Sequence, residues 1–401
     1  MPSLDLGGRV ALVGGGIGGL AAAAFLWREG IRATIYEQAP ALTEVGAGLI
    51  LAPNVIRLLR QLDGFPRLME RAVALDVGWE FRRWRDGQVL SAEDLSTRCE
   101  ELYGERSYAV HRADVVDAIR CSVPDQFVRL GARCLGIEAR ENSVRVHLDD
   151  GTYEDAAILL GADGMHSVVR NAIAPQAQPR PSGLCAFRAL VPSAEAPEFA
   201  RRAAHTLWLG PGRHLVHYPI SGGDVVNVVA FAPSDGRVQE SWSATATSEE
   251  FLGAFQGWDR RLTDLIDAAG APGRWAVLDR TPLEQWTRGR ITLLGDAAHP
   301  MFPFFAQGAG QAIEDAATVA LCLAADPRDP HRALHRYERL RIGRTTRMQQ
   351  ASRARATVNH LPDGPEQVSR DAELGNADAL AASGWIYGHD VVRSMSAVGA
   401  P

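Results

Sequence analysis

The glycine-rich segment near the amino terminus constrains the fold of this chain more than any other feature. Glycines stand in the spacing Gly-x-Gly-x-x-Gly at Gly14, Gly16 and Gly19. An apolar run at residues 9–13 precedes them, and an alanine-rich, helix-like stretch at 17–28 follows. A second apolar run at 32–36 ends at an acidic residue. The order strand, helix, strand predicts a parallel sheet and the α/β class.

Each glycine has a physical role if this turn binds a dinucleotide. Gly14 allows the tight turn, Gly16 lets a pyrophosphate approach the backbone, and Gly19 lets the helix pack closely on the strand. The amino terminus of the helix attracts the phosphate charge. Glu37, with Gln38 beside it, ends the second strand, where a carboxylate accepts hydrogen bonds from a ribose. The motif does not separate FAD from NAD, although the carboxylate disfavours NADP, and a glycine-rich turn can also be purely structural.

The composition excludes several other kinds of enzyme. The chain has 401 residues, enough for two domains or one large composite domain, and all 42 of its basic residues are arginine. Without a lysine it cannot form a Schiff base, bind pyridoxal phosphate covalently or build a Walker-A phosphate site. A net charge of −6 gives no reason to expect a nucleic-acid partner.

The cysteines and the apolar runs predict where the protein works. Five widely spaced cysteines fit a reducing compartment better than a disulfide framework. No signal peptide and no apolar run of about 18 residues is apparent, so we expect no membrane partner and a cytoplasmic location. We expect no metal either, because the pair His331 and His335 has Arg332 between its members, which would repel a cation.

The pattern changes along the chain and predicts a discontinuous nucleotide-binding domain. Short strand-like runs with Gly and Pro turns dominate from residue 183 to 231, which indicates a mostly antiparallel second domain. Residues 127–148 alternate as antiparallel strands do, and 248–269 reads as helical. The segment 361–378 is rich in Gly, Pro and acidic residues, as mobile segments are. An arginine-rich helix over 327–355 is best interpreted as solvated, the alternative being a surface that binds an anion or a membrane. We expect nucleotide-domain parts at 1–70, 102–180 and 279–326, substrate-domain parts at 71–101 and 181–278, and a helical region at 327–401.

Two later strand-to-turn junctions each carry an aspartate. Asp163 follows the apolar run at 156–160, and Asp296 follows the run at 290–294. Asp296 is suited to hydrogen-bond a ribityl hydroxyl. Backbone amides at Gly308 and Ala309, just before a strong helix, are suited to stabilise negative charge on a reduced ring.

The three motifs, in this order, resemble those of the single-component FAD-dependent aromatic hydroxylases, the class A flavoprotein monooxygenases. The resemblance runs from about residue 10 to 390. It implies tightly bound FAD contacted by Arg112, Leu135 and Asp163, with NADH or NADPH as a transient co-substrate that needs no second glycine fingerprint. It also implies transfer of oxygen from O₂ through a flavin C4a-hydroperoxide, in a monomer or homodimer.

Within that family the chain looks most like the branch of salicylate hydroxylase, 3-hydroxybenzoate 6-hydroxylase and 6-hydroxynicotinate 3-monooxygenase. This likeness implies a small hydroxylated aromatic or heteroaromatic acid as the substrate. Two positions depart from the 6-hydroxynicotinate enzyme, since Ile50 and His205 stand where it carries histidine and cysteine. The segments that carry the likeness include Gly46-Ala47-Gly48, Pro53-Asn54, Gly295-Asp296-Ala297-Ala298-His299-Pro300-Met301, Ala306-Gln307-Gly308, Ile313-Glu314-Asp315, Arg213-His214 with Tyr218, and Trp385-Ile386-Tyr387-Gly388.

A base near the ring hydroxyl would help, because a phenolate is far more nucleophilic than a phenol. His299 is the first candidate for that proton acceptor, and its alternative role is to cap or pack the turn. His214 and Tyr218 are four apart on a strand, so they share a face and are candidates to contact the substrate. His217 is out of phase with them. We expect the pocket to include Ile50, His205, Trp208, Pro300 and Phe302.

Two other functions stay open at this point. One is a tailoring hydroxylase for a larger natural-product ring, and the other is a flavin-binding protein without oxygenase activity. The compact substrate domain favours small substrates over the first, and His299 with the complete 307–310 loop argues against the second.

Overall fold

A computed structural model describes residues 8–42, 48–175, 178–234 and 244–397. Gly46 and Ala47 of the glycine segment noted above lie outside these residues. The strands are β1 Val10–Val13, β2 Ala33–Glu37, β3 Gly48–Leu51, β4 Val73–Ala74, β5 Val77–Arg83, β6 Val89–Asp94, β7 Tyr108–His111, β8 Val128–Leu130, β9 Cys134–Ala139, β10 Val144–Leu148, β11 Tyr153–Ala156, β12 Ile158–Gly161, β13 Arg180–Pro192, β14 Ala204–Gly210, β15 Arg213–Ile220, β16 Val225–Pro233, β17 Gly273–Asp279, β18 Thr287–Arg288 and β19 Ile291–Leu293.

The helices are distributed along the whole chain and gather at its carboxyl end. They are α1 Ile17–Arg28, α2 Pro53–Leu59, α3 Phe65–Arg71, α4 Thr97–Tyr103, α5 Arg112–Arg120, α6 Val168–Asn171, α7 Ser248–Ala254, α8 Arg260–Ala269, α9 Gly308–Ala325, α10 Pro330–Asn359, α11 Pro365–Asn376, α12 Ala379–Ala382, α13 Gly384–Tyr387 and α14 Val391–Ala397.

The first sheet contains the glycine turn and confirms the predicted α/β class. Its strand order is β18-β19-β12-β1-β2-β8, and every pair except β18–β19 is parallel. β1 and β12 are completely buried, as continuous apolar strands of a parallel sheet should be. Helices α1 and α9 pack together beside this sheet. The prediction that 127–148 is wholly antiparallel was wrong at its start, because β8 pairs with β2 and only β9 to β11 form an antiparallel sheet.

The second sheet is mostly antiparallel and separates two apolar layers. Its order is β17-β13-β16-β15-β14-β5-β6, with one parallel pair, β14–β5. One face is covered by α7 and α8 through Phe251 and Leu262, and by Phe255 between the two helices. The other face packs on the segment 301–306 and on the small sheet β3-β7-β4. The strand prediction for this region was right, and the segment 248–269, expected to be helical, forms the two helices α7 and α8.

The carboxyl-terminal region differs most from expectation. Helix α10 is not solvated along its length, because Arg341 is 1 % exposed and pairs with Glu314 and Asp315 of α9. The arginine-rich composition could not show this, since the acidic partners come from another helix. The segment 361–378, expected to be mobile within a helical region, contains helix α11, which starts with a proline in its first turn and packs against β6.

The buried ion pairs between α9 and α10 predict a large stability effect. We expect Arg341→Ala to lower the free energy of unfolding by about 3–5 kcal/mol, because two buried carboxylates would lose the guanidinium that they share, and only Arg344 and His299 would remain to pair with them. Chemical denaturation at neutral pH measures this change. Arg332→Ala, at an exposed position of the same helix, should change it by less than about 1 kcal/mol.

The same pairs set a pH dependence of stability. The arginines lower the pKa of Glu314 below its ordinary value, although burial alone would raise it. A carboxyl group with a lowered pKa in the folded state stabilises the fold fully above its unfolded pKa of about 4. We therefore expect wild-type stability to fall as the pH falls below about 4, and an unchanged free energy of unfolding there would contradict the assignment.

Candidate active site

The glycine turn leaves room for a group that the protein itself does not provide. A Cβ at Gly14 would strike the backbone of Ala162, and a Cβ at Gly19 would strike the carbonyl of Gly14. A Cβ at Gly16 would meet no atom within 4 Å, and the φ of −72° there suits any residue. Packing therefore explains Gly14 and Gly19 but not Gly16, whose missing side chain opens space at the start of α1. A pyrophosphate fits this space.

The neighbouring acidic residue is held in place by backbone amides. The Glu37 carboxylate accepts hydrogen bonds from the amide of Gly15 at 2.5 Å and that of Ala39 at 2.8 Å. These bonds fix the carboxylate beside the glycine turn, where a ribose would lie. Gln38 is exposed beside it, and Leu135, at the start of β9, is 59 % exposed.

Asp163 and Asp296 lie on adjoining turns but differ in what they bind. The Asp163 carboxylate accepts hydrogen bonds from the Ser167 hydroxyl at 2.5 Å and the Val168 amide at 2.7 Å, so it caps α6. The Asp296 side chain is exposed and forms no hydrogen bond among the described residues. Asp296 is thus free to bind hydroxyl groups of a ligand, such as the ribityl chain of FAD.

A single buried arginine ties these two turns together. Arg170 donates to the carbonyls of Met165 at 2.8 Å and Gly164 at 3.0 Å in the first turn. It also donates to Ala297 at 2.7 Å and Asp296 at 3.0 Å in the second. The two aspartate motifs, far apart in sequence, therefore form one rigid wall. This arrangement suits FAD: the glycine turn would hold the pyrophosphate, Glu37 the ribose, and Asp296 the ribityl chain.

His299 lies beneath the turn, on the side of α9. Its Nε2 is 2.5 Å from Oδ2 of Asp315, and its ring lies 5.2 Å from that of Trp286. The other nitrogen, Nδ1, is buried and has no hydrogen-bond partner among the described residues. The same Asp315 oxygen accepts from the Gly295 amide at 2.9 Å. Asp315 occupies Nε2 and the ring is 1 % exposed, which favours a positioning role for His299 over direct proton transfer from a substrate.

A buried polar network holds the start of α9 behind this turn. Asn54 donates to Gln307 at 3.1 Å and to Glu314 at 2.6 Å. Arg341 and Arg344 donate to the same Glu314 carboxylate. Asn54 and Glu314 both lie in segments that carry the family likeness, but nothing in the sequence predicts their contact. The available signal for a buried polar network was the pair of adjacent acidic residues, Glu314 and Asp315, within the apolar sequence of α9.

The start of α9 itself offers unpaired backbone donors. Gly308 and Ala309 are its first two residues, and Gln307 provides no side-chain cap. The first amides of a helix have no intrahelical acceptor. They can therefore bind negative charge on a ligand, as expected for these two residues.

The face of the second sheet toward segment 301–306 brings together several predicted substrate residues. Tyr218 and His214 share this face, as their even spacing predicts. The His205 ring lies 5.5 Å from the Tyr218 ring. Ile50 belongs to the same apolar cluster as Tyr218. Gly48 packs so closely there that a Cβ would meet Tyr218 at 2.6 Å.

His214 has a hydrogen-bond partner of its own, His360. Its Nδ1 lies 2.6 Å from Nε2 of His360, and its ring stacks on Phe231 with 4.6 Å between centroids. Burial lowers the pKa of His214 well below its ordinary value, and burial lowers that of His205 to about 4. Both histidines are therefore neutral at pH 7. Burial raises the pKa of Tyr218, which keeps its hydroxyl protonated.

Trp208 does not line this pocket, contrary to expectation. Its Nε1 donates to Nε2 of His217 at 3.2 Å on the opposite face of the sheet. The reason is the strand period of two, because positions 205 and 208 differ by an odd number.

Segment 301–306 covers the sheet face from the side of the first domain. Phe302 and Phe304 pack against Phe231 and Val229. Pro300, just before them, has its carbonyl held by the Gln349 amide at 2.9 Å. This cover is apolar and would exclude water from a ligand between the two domains.

Nothing in the described ranges points to a metal or a membrane span. No cluster of three or more His, Cys, Asp or Glu side chains there is arranged to hold a metal ion. No helix found in those ranges has the length and apolar character needed to cross a membrane.

Comparison with known proteins agrees with the geometry. A family model described as an FAD binding domain matches residues 8–352. A 3-amino-4-hydroxybenzoate 2-monooxygenase of Streptomyces platensis is 42 % identical over 382 residues, 95 % of this chain and 96 % of that protein. The 3-hydroxybenzoate 6-hydroxylase 1 of Aquipseudomonas alcaligenes is 36 % identical over 395 residues, 96 % of this chain and 98 % of that protein.

A solved structure gives the same result. Klebsiella pneumoniae HpxO complexed with FAD and uric acid superimposes with a TM-score of 0.83 at 26 % identity, covering 96 % of this chain and 97 % of that one. The relatives confirm the predicted hydroxybenzoate branch, and the aminohydroxybenzoate in the name of one relative was not predicted from the sequence.

The glycine turn predicts a variant that folds but binds less FAD. We expect Gly16→Ala to keep its thermal unfolding temperature without cofactor, because the added methyl meets no protein atom. The methyl would occupy the space of the pyrophosphate, so the flavin absorbance per chain should fall at least about tenfold at limiting FAD. Gly343→Ala, where a Cβ also meets nothing within 4 Å, is the matched control. Equal flavin content in both variants would show that Gly16 does not face the cofactor.

Proposed function

Because this chain belongs to the FAD-binding family of single-component flavoprotein monooxygenases, we propose that it hydroxylates a small aromatic or heteroaromatic acid that already carries a ring hydroxyl. NADH or NADPH and O₂ are its co-substrates. FAD, when bound, supplies the redox chemistry, since it accepts reducing equivalents from the nicotinamide and activates O₂. Relatives over nearly the full length are named for hydroxybenzoates and an aminohydroxybenzoate, which supports this substrate class.

The single observation that carries the proposal is the polar pair within the apolar sheet face. Tyr218 and His205 are in ring contact, 5.5 Å apart, and both side chains are more than nine-tenths buried. A protonated phenol can donate a hydrogen bond and a neutral imidazole can accept one. This pair therefore suits a ring hydroxyl, while Ile50 and Phe305 give the apolar surroundings that an aromatic ring requires.

In this proposal His299 is a positioning residue. It holds Asp315, which in turn holds the amide of Gly295 beside Asp296. The chain positions the flavin side of the pocket through these bonds, and Tyr218 with His205 orients the substrate hydroxyl. His214 supports the same sheet face through His360.

The acidic net charge and the absence of a spanning helix in the described ranges support the remaining proposals about partners. We expect a cytoplasmic monomer or homodimer that binds neither nucleic acid nor membranes.

The test of the function is a substrate panel. NADH and NADPH oxidation should be stimulated by at least one of 3-hydroxybenzoate, 3-amino-4-hydroxybenzoate and 6-hydroxynicotinate, with a hydroxylated product identified by mass spectrometry. Failure with all small acids, together with turnover of a larger fused ring, would replace this proposal by a tailoring function.

The role of His299 predicts a particular pH profile. His299→Ala should lose coupling, releasing more hydrogen peroxide per NADH oxidised, because the turn beside the flavin loses its support. Any ionisation in the wild-type pH profile of kcat/KM should persist in the variant, since a residue that only supports the turn exchanges no proton with the substrate. Loss of that ionisation, with coupling preserved, would make His299 the base after all.

Tyr218 predicts a different effect. Tyr218→Phe keeps the ring contact with His205 and removes only the hydroxyl, so folding and FAD content should be unchanged. Hydroxylation should fall by roughly 10- to 1,000-fold, because the substrate hydroxyl loses its donor. The control is Val228→Ile, a change on the opposite face of the same sheet. Wild-type coupling and rate in Tyr218→Phe would exclude the contact.

A further inference from the structure

Arg188 is a cation on the substrate face of the second sheet that the sequence analysis did not single out. It lies on β13, opposite Val229 of β16, and Val229 belongs to the apolar cluster of Phe302 and Phe304. Its guanidinium lies 4.5 Å from the centre of the Trp275 ring. In the part of the chain that the structure describes, no carboxylate pairs with it. Arg188 is only partly exposed, and its Nε is buried without a hydrogen-bond partner among the described residues. A cation withdrawn from water without an anion is a costly arrangement.

The surroundings confirm that the charge is poorly solvated. Burial lowers the pKa of Arg188 to about 10, the neighbouring Tyr218 opposes this shift, and Arg112 adds to it. The guanidinium still carries its proton at neutral pH. An anion bound here would remove much of the cost that burial and the second cation impose.

A second donor lies close by without a partner. Asn227 is fully buried, and its Oδ1 accepts the Gly48 amide at 2.8 Å. Its Nδ2 is buried and has no acceptor among the described residues. Asn227 pairs across the strands with Tyr218, and it is two positions from Val229, which pairs with Arg188. Because residues two apart share a face, Arg188, Asn227 and Tyr218 all point to the same side.

The distances across the sheet suit one aromatic acid. Strand β13 is separated from β15, which carries Tyr218, by one strand, so their backbones are about 10 Å apart. A carboxylate near β13 and a ring hydroxyl near β15 would then lie at opposite sides of a single ring.

We infer that Arg188, assisted by the Nδ2 of Asn227, binds the carboxylate of the aromatic substrate and makes the enzyme selective for ring acids over their neutral analogues. This inference rests on the proposed function. A guanidinium matches the two oxygens of a carboxylate, and a buried hydrogen bond to a charged group is among the strongest available to a protein.

Arg355 is the other cation near the pocket, and it is the alternative anchor. Its guanidinium lies 5.1 Å from the Phe305 ring and 5.7 Å from that of Trp79. An unpaired buried amide, that of Asn359, lies one turn along α10 from Arg355, but it is not on the sheet face that carries Tyr218, Asn227 and Arg188. The same experiment on both arginines decides between them.

The experiment compares an acid with its amide in the FAD-loaded enzyme. The dissociation constants of 3-hydroxybenzoate and 3-hydroxybenzamide are measured from the perturbation of the flavin absorbance, which requires no turnover. We expect the wild type to favour the acid, and Arg188→Gln to weaken acid binding by about 10- to 100-fold while changing amide binding less than about threefold. Arg188→Lys should recover part of the preference, and Asn227→Ala should lose a smaller part.

The matched control is Arg274→Gln. Arg274 lies on the adjacent strand β17 with its guanidinium 5.5 Å from the Phe187 ring, on the opposite face of the same sheet. This variant should retain the wild-type preference. Flavin content and thermal unfolding of all variants show whether each one folds, and Arg188→Lys keeps the test valid if Arg188→Gln does not.

The outcomes separate this inference from the proposed function. Equal binding of acid and amide by the wild type, or an unchanged preference in Arg188→Gln, would overturn the inference. A preference lost in Arg355→Gln instead would move the anchor to Arg355 and overturn it as well. A preference that depends on Arg188, in an enzyme that forms no hydroxylated product, would support the carboxylate site and contradict the proposed function.

Discussion

The buried ion pairs of Arg341 with Glu314 and Asp315 are the interaction on which the rest of the site depends. They join α10 to α9 without access to solvent, where a buried charge without an opposite partner would strongly destabilise the fold. Asp315 also contacts the Gly295 amide and His299, which fixes the turn. Glu314 also accepts a hydrogen bond from Asn54, which fixes α2. The turn that carries Asp296 and the start of α9 are therefore fixed before any ligand binds.

The two domains on either side of this turn have different roles in the site. In the first domain, the backbone donors and the open space at Gly16 suit the negatively charged part of a large cofactor, and the free carboxylate of Asp296 suits its hydroxyl groups. The second provides a mostly apolar sheet face with a few polar groups, among them Tyr218 and Asn227, which suits a small ring. An aromatic substrate between them would be shielded from water by segment 301–306, a condition that oxygen transfer requires.

The sequence predicted what local patterns determine and failed where partners are distant. The glycine turn could be predicted because the strand, the spacing of Gly14, Gly16 and Gly19, and the helix are contiguous in sequence. The shared face of His214 and Tyr218 follows from the strand period alone, and the same rule would have excluded Trp208. The direction of the His299 ring could not be predicted, because Asp315 reaches it from another helix. Arg188 was missed because an arginine inside an apolar strand has no motif of its own.

The central claim is that this chain inserts one oxygen atom of O₂ into an aromatic acid held between its two domains. The most direct measurement is turnover under isotopically labelled O₂ with a hydroxybenzoate that stimulates NADH oxidation. The account predicts that the new ring hydroxyl carries the label, with about one labelled product per nicotinamide oxidised when coupling is complete. Label found only in hydrogen peroxide and water, with an unmodified ring, would contradict it.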